Sequence, residues 1–309
     1  MISERKTPDL PTWLRELYPF STRSLRIGEH RMSFVDEGPR EARAIVLLHG
    51  NPAWSLVFRD VIQRLASDHR VVAPDLIGFG LSSKPCDAGY HTIKRHAANV
   101  SALVDAMALE SVTLVLHGAS GPVGLSWAAA NRDRLARIVL VNSWGAVVPN
   151  AKWNRLPLLA RLAARQLAWL LDGSLIGLSS FLDACEPAEK AREGYLFPFK
   201  HETAVAVKAL QRFLFDPDPE TRTALVALEA ELKNVNAPTE IVHGLRDPFV
   251  GRLAAYLLRD SIKSAREPIF VDDAGHFLPE RAPRVVHERI IPTRMAQTAA
   301  PQGLFKILT

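Results

Sequence analysis

Short, continuously apolar runs alternate with helical patterns along most of the chain. From Ser24 to Ala44 the pattern predicts a strand, a turn at Gly28-Glu29-His30, a second strand through Met32 to Val35, and a polar loop at Asp36-Glu37-Gly38-Pro39. Buried strands are then predicted at AIVLLHG (Ala44 to Gly50), RVVAPD (Arg70 to Asp75), VTLVLHG (Val112 to Gly118) and RIVLVN (Arg137 to Asn142). Between them lie helices over Ser55 to Ser67, Ile93 to Met107 and Pro122 to Asn131. Runs apolar on both faces, separated by amphipathic helices, imply a mostly parallel α/β sheet covered on both sides.

The alternation stops at Ala146 and resumes near Asn236 with TEIVHG (Thr239 to Gly244), a helix over Arg252 to Asp260, the strand PIFVDD, and a helix over Pro283 to Ile290. The interruption is Leu-rich and helical, so it reads as a cap inserted over the carboxyl edge of the sheet, where ligands of open α/β sheets bind. The expected organisation is an α/β core of residues 1–145 and 237–295, a helical cap of residues 146–236, and a tail of residues 296–309. Within the cap, Arg161, Arg165 and Asp172 fall on one helical face opposite Leu159, Leu162 and Leu170, the pattern of a helix packed on a core rather than buried in lipid.

Composition narrows the function classes. Of 309 residues, 48% are hydrophobic and 23% charged, with a formal charge of +5, the balance of an ordinary globular enzyme rather than of a disordered chain. The basic residues are scattered without a stripe, so no nucleic-acid partner is expected. Two cysteines, Cys86 and Cys185, make no disulfide framework, and a cytoplasmic setting follows. No export signal or membrane span is read, and His91, His96 and His201 lack metal-ligand spacing, so neither metal nor cofactor is expected. The expected partner is a small-molecule substrate; the oligomeric state is unknown.

Three segments carry chemistry. His49-Gly50-Asn51-Pro52 follows a buried strand, where the turn backbone and the Asn51 amide can face an anion forming in a pocket. Asp247 lies just beyond the strand TEIVHG, and His276 just beyond the last strand. Loops after successive parallel strands can bring the two together, with the carboxylate holding the imidazole tautomer. A lone Asp or His in a loop is otherwise an ordinary surface residue. The order of an elbow near residue 118, then Asp247, then His276 is that of α/β-hydrolases. His117, one residue before the elbow, reads as a buried, hydrogen-bonded core residue. Trp144, Trp153, Trp169, Phe197 and Phe199 read as packing first and pocket lining second.

With HGNPAWS, PDLIGFGLSSKP, GPVGLSWA, HGLRDP and AGHFLPE in place, the chain resembles α/β-hydrolases of the haloalkane dehalogenase type, and nearly as much the β-lactone decarboxylases of olefin synthesis. The resemblance runs from about Ser24 to Ile290. It implies Asp247 as acid, His276 as base and Asn51 as an anion-holding residue. It also implies an aspartate nucleophile at an elbow reading His-Asp-Trp-Gly-Gly-Pro. This chain reads His117-Gly118-Ala119-Ser120-Gly121-Pro122, so Gly118 stands at the nucleophile position and Ala119 at that of the halide-holding tryptophan. Three readings follow. In the first, the His276–Asp247 pair is a general base for hydrolytic or lyase-type chemistry on a small, largely apolar substrate, with Asn51, Gly118 and the Ala119 N–H around the developing oxyanion. In the second, Ser120 is the nucleophile of a shifted elbow, against a plainer role capping the helix. In the third, the chain is an inactive binding protein on a hydrolase scaffold.

Overall fold

The computed structural model describes residues 2–4, 10–145, 187–200 and 219–291. Nine strands form one sheet: β1 (Ile2–Glu4), β2 (Thr22–Ile27), β3 (His30–Glu37), β4 (Ala44–Leu48), β5 (Arg70–Pro74), β6 (Val112–His117), β7 (Leu135–Val141), β8 (Thr239–Gly244) and β9 (Ile269–Val271). Their spatial order is β1-β2-β3-β5-β4-β6-β7-β8-β9. The β1–β2, β2–β3 and β3–β5 pairs are antiparallel, and every pair from β5 to β9 is parallel. The chain leaves β4 toward β5 on one side and leaves β6 toward β7 on the other. That divergence opens a crevice beyond the carboxyl ends of β4 and β6.

The apolar runs become strands because both of their faces are covered. All of β4 is buried. Ile45 and Leu47 join one apolar cluster, whereas Val46 and Leu48 join the other, as the two-residue period of a strand requires. On the Val46 face pack α3 (Ile93–Ala106) and α4 (Ser120–Ala130), through residues such as Leu103, Val104, Val123 and Trp127. On the opposite face lie α1 (Thr12–Leu17), α2 (Arg59–Leu65) and the C-terminal helix of residues 283–290. Helix α4 is apolar on nearly every face because all of it but Ser126 and Ala130 is buried. Thr92 caps α3 by accepting from Arg95 N–H at 3.1 Å.

Two expectations change. The polar loop expected at Asp36-Glu37 is instead the end of β3, paired as Asp36↔Val72 and Glu37↔Val71. Charge at Asp36 is tolerated inside the sheet because Arg23 and Arg70 approach its fully buried carboxylate at 2.7 and 3.1 Å. Helix α4 begins at Ser120 rather than Pro122, which leaves the proline in the first turn, where it fits without a donor. Trp153, Trp169, His201, Cys185, most of the expected cap and the tail of residues 296–309 lie outside the described residues. No described helix is long and apolar enough to cross a membrane.

Candidate active site

His276 follows β9 in the loop leading to the C-terminal helices, and Asp247 follows β8. The parallel pairing of these strands places the two loops side by side. His276 Nδ1 lies 2.8 Å from Asp247 Oδ2. Phe249 N–H and Val250 N–H donate to the other carboxylate oxygen at 2.8 and 3.0 Å, and Asn142 Nδ2 donates to Oδ2 at 2.7 Å. Burial alone would raise the Asp247 pKa, but His276 and these donors outweigh it and bring the value down to about 2. An ionised Asp247 can only accept, so the proton on this side of the ring sits on His276 Nδ1 and the lone pair of the neutral ring is on Nε2.

Nε2 is aimed at Gly118. The sharp turn from β6 into α4 gives Gly118 a φ of +56°, a conformation natural to glycine. An ideal Cβ built there would lie 3.1 Å from His276 Nε2 and 3.4 Å from Gly50 Cα. The strand-turn-helix elbow is therefore present, faces the imidazole, and carries no side chain. Small residues press it into place. A Cβ on Gly50 would come within 2.9 Å of His117 O and 3.1 Å of Ala119 N, while one on Gly121 would overlap Trp144 O and Ser143 Oγ. Ser143 Oγ also donates to Gly118 O at 2.8 Å.

Buried histidines hold the surrounding turns. Leu76 N–H donates to His49 Nε2 at 2.9 Å, which leaves Nδ1–H to donate to Gly50 O at 2.8 Å. Burial lowers the His49 pKa to about 4, so this ring is neutral and fixes the Gly50-Asn51 turn. His117 is lowered to about 3, first by burial and then by the neighbouring His276. Its Nε2 lies 2.9 Å from His276 O, tying the elbow strand to the His276 backbone.

The structure brings His276, Asp247, Gly118 and the Gly50-Asn51 turn together, with Ala119 at the start of α4. Asn51 is buried, and its amide makes no hydrogen bond to another described residue. Ser120 is not brought to His276. Its hydroxyl lies 2.7 Å from Leu48 O and 2.9 Å from His117 O, and donates to these carbonyls. The Ser120 hydroxyl, weighed above as an alternative nucleophile against a role at the helix start, is engaged at the helix start, two residues beyond the elbow glycine.

Asn142 is the residue that the sequence reading passed over. It ends β7 at a φ of +46°, donates to Asp247, lies 3.3 Å from Gly275 O, and accepts from Gly244 N–H at 3.1 Å. Its signal was an asparagine at a strand end, a residue type that tolerates positive φ. Phe199 is part of the core, and Phe197 packs edge-on against Trp13 at 6.3 Å. Among the described residues no cluster of three or more His, Cys, Asp or Glu side chains is arranged for a metal.

This arrangement on a parallel sheet defines an α/β-hydrolase, and the comparisons agree: residues 43–283 match the model of the alpha/beta hydrolase fold, and the chain belongs to that family. Within it, the chain is 32% identical over 295 residues to a haloalkane dehalogenase of Mycobacterium marinum, covering 93% of this chain and 98% of the relative. It is 29% identical over 288 residues to a cis-3-alkyl-4-alkyloxetan-2-one decarboxylase of Shewanella oneidensis, covering 87% and 86%. The structure of a haloalkane dehalogenase from Bradyrhizobium elkani superposes with a TM-score of 0.73 at 21% identity, covering 88% of this chain and 96% of that one. These similarities support a hydrolase-like enzyme.

Proposed function

We propose that His276, oriented by Asp247, is a general base for hydrolytic or lyase-type chemistry on a small, largely apolar substrate, with no covalent enzyme intermediate. The observation that carries this reading is the 3.1 Å separation between His276 Nε2 and the point where a Gly118 side chain would begin. A base that faces an empty elbow has water or substrate as its proton donor. In the hydrolytic case, water at that point gives a proton to Nε2 while its oxygen bonds to the electrophilic carbon. The leaving group then departs with that proton, and the base is restored. Charge developing on the substrate oxygen meets the Ala119 N–H at the start of α4 and the Asn51 amide.

The relatives' names are those of a dehalogenase and a decarboxylase, and the family resemblance assigns their chemistry to an elbow aspartate. Gly118 supplies no such group, so this chain uses the same base without the covalent step. The cap of residues 146–236 belongs to this reading as the element that encloses an apolar substrate, and a cytoplasmic setting goes with it. Ser120 has no part in it, since its hydroxyl is committed to Leu48 O and His117 O.

On whichever ester, lactone, epoxide or haloalkane substrate the protein turns over, His276→Ala is expected to lower kcat/KM by about 10²- to 10⁴-fold, the usual worth of a positioned base. Ser120→Ala should retain turnover. Undiminished activity in His276→Ala overturns the reading, and a fluorophosphonate adduct that disappears in Ser120→Ala would restore the serine route.

A further inference from the structure

HGLRDP opens on His243, a histidine to which the general-base scheme gives no task. It lies on β8, paired with Phe270 of β9, and shares a strand face with Ile241, the face against which the helix Arg252–Ser261 packs. The residue is 1% exposed. Its Nε2 lies 2.6 Å from Val250 O. A carbonyl only accepts, so Nε2 carries the proton, and Nδ1, buried and without a hydrogen-bond partner among the described residues, carries the lone pair. Burial is the largest influence on the ring and lowers its pKa below the ordinary histidine value; of the charged groups acting on it, Asp247 raises the pKa, whereas His276 and Arg252 lower it. His243 is thus a neutral donor and not a second cation facing His276.

We propose that His243 is a positioning residue: its Nε2–H grips the Val250 carbonyl and so holds the turn of residues 247–250 whose amides fix the Asp247 carboxylate beside His276. Val250 is gripped on both sides, its carbonyl by His243 and its N–H by Asp247 Oδ1 at 3.0 Å. Phe249, the residue before it, donates to the same oxygen at 2.8 Å and stands its ring edge-on to the His276 imidazole, with centroids 5.8 Å apart. Main-chain bonds tie down the first half of this loop, Leu245 N–H to Val271 O at 2.9 Å and Arg246 N–H to Ala274 O at 3.0 Å. In the second half, where the chain turns toward the helix Arg252–Ser261, the anchor is a side chain of β8 itself. A buried carbonyl that loses its donor must find another, so without His243 the turn shifts and its two amides move off Oδ1. Asp247 then keeps its bonds from Asn142 and His276 on Oδ2 but loses the clamp that fixes the rotation of its carboxylate. The His276 Nδ1–H follows that carboxylate, and with it the aim of Nε2. Small displacements set up away from the reacting atoms cost about 10- to 100-fold in rate. The chain of hydrogen bonds stands on geometry, and its effect on rate rests on the general-base reading above.

The test follows the His276 Nδ1–H proton by NMR in the full-length protein, at neutral pH and without substrate. In His243→Phe, which fills the space of the ring but donates nothing, that resonance is expected to move upfield and to broaden through faster exchange with water. On whichever substrate is turned over, kcat should fall about tenfold with KM nearly unchanged. His243→Gln, whose amide can donate to Val250 O, should restore both. A histidine of merely structural worth would lower the melting temperature in His243→Phe and leave the resonance where it was, and that result overturns the proposal. So does His243→Gln behaving as His243→Phe does. Where the phenylalanine variant does not fold, His243→Met removes the donor with a flexible side chain and is read in the same way. In the wild-type protein, nitrogen chemical shifts should show His243 protonated on Nε2, and a proton on Nδ1 instead also overturns the proposal. Undiminished turnover in His276→Ala removes the general-base reading, while the resonance still reports whether His243 holds Asp247 in place.

Discussion

Asp247 accepts four hydrogen bonds, from His276, Asn142, Phe249 N–H and Val250 N–H, and of these the Asn142 amide is the one that mutation can remove without touching the base. Asn142 also accepts from Gly244 N–H, so its loss leaves a buried backbone donor and a buried carboxylate each short of a partner. Asn142→Gly suits the positive φ and deletes only the amide. It is expected to lower stability by about 2 kcal/mol, the usual cost of a hydrogen bond to a charged group. It should also lower kcat while leaving KM nearly unchanged, with the acid limb of the pH–rate profile displaced. A purely structural asparagine would lower melting temperature without moving that limb. The His276–Asp247 pairing was legible from residue type and chain order because strand-following loops converge on one edge. Asn142 was not legible, because a strand-terminal asparagine without tertiary context looks like any turn residue.

At the scale of elements, the sequence pattern located every strand from β2 to β9, most directly where a strand is buried on both faces, as β4 is, and so writes its length into a run of apolar residues. It missed where β3 ends, because the half-buried Arg23 and Arg70, together with Arg40, make Asp36 compatible with a sheet interior, and the local pattern does not reveal that Arg23 and Arg70 come to it. The same blindness covers Glu280, quoted for the resemblance as the last letter of AGHFLPE. Its side chain is fully buried and bonds to Arg59 of α2, to the hydroxyl of Tyr195 in the helix Glu189–Leu196, and to Ala188 N–H at 2.9 Å. One carboxylate thus joins the sheet-covering helix, the segment that follows His276 and the 187–199 segment. Glu280→Ala would leave the buried Arg59 cation with only the more distant Asp60 carboxylate, at 3.8 Å. It is expected to cost about 3–5 kcal/mol, the usual result of breaking half a buried ion pair. The Arg59→Met/Glu280→Met pair should cost less than the sum of the two single changes, measured by chemical denaturation. Additive effects would show that the two side chains are energetically independent.

For the molecule as a whole, the buried imidazoles set a limit on acid stability. Burial lowers the pKa of His49 and His91 to about 4 and of His96 and His117 to about 3, against an ordinary value of 6.5. His91 and His96 stack with Nδ1 and Nε2 3.3 Å apart, so protonating one places a charge against the other in the core. In each case the unfolded chain binds a proton that the folded chain refuses. Stability is therefore complete above pH 6.5 and falls as the pH drops from 6.5 toward 4 and 3. Each such histidine contributes a slope of about 1.4 kcal/mol per pH unit once the unfolded state is protonated. Asp247 adds little above pH 4, because the stability it lends through its lowered pKa of about 2 is lost as the pH falls past its unfolded value of 3.8. With a net stability of about 5–15 kcal/mol to draw on, the four slopes together should unfold the protein near pH 4–5. Melting temperature measured from pH 7.5 to 4 should be level at first and then decline steeply below 6.5. His96→Phe, which trades a buried imidazole for a ring that takes up no proton, should flatten part of that decline. A melting temperature constant down to pH 4.5 would mean that these rings accept protons in the folded state, contrary to their burial.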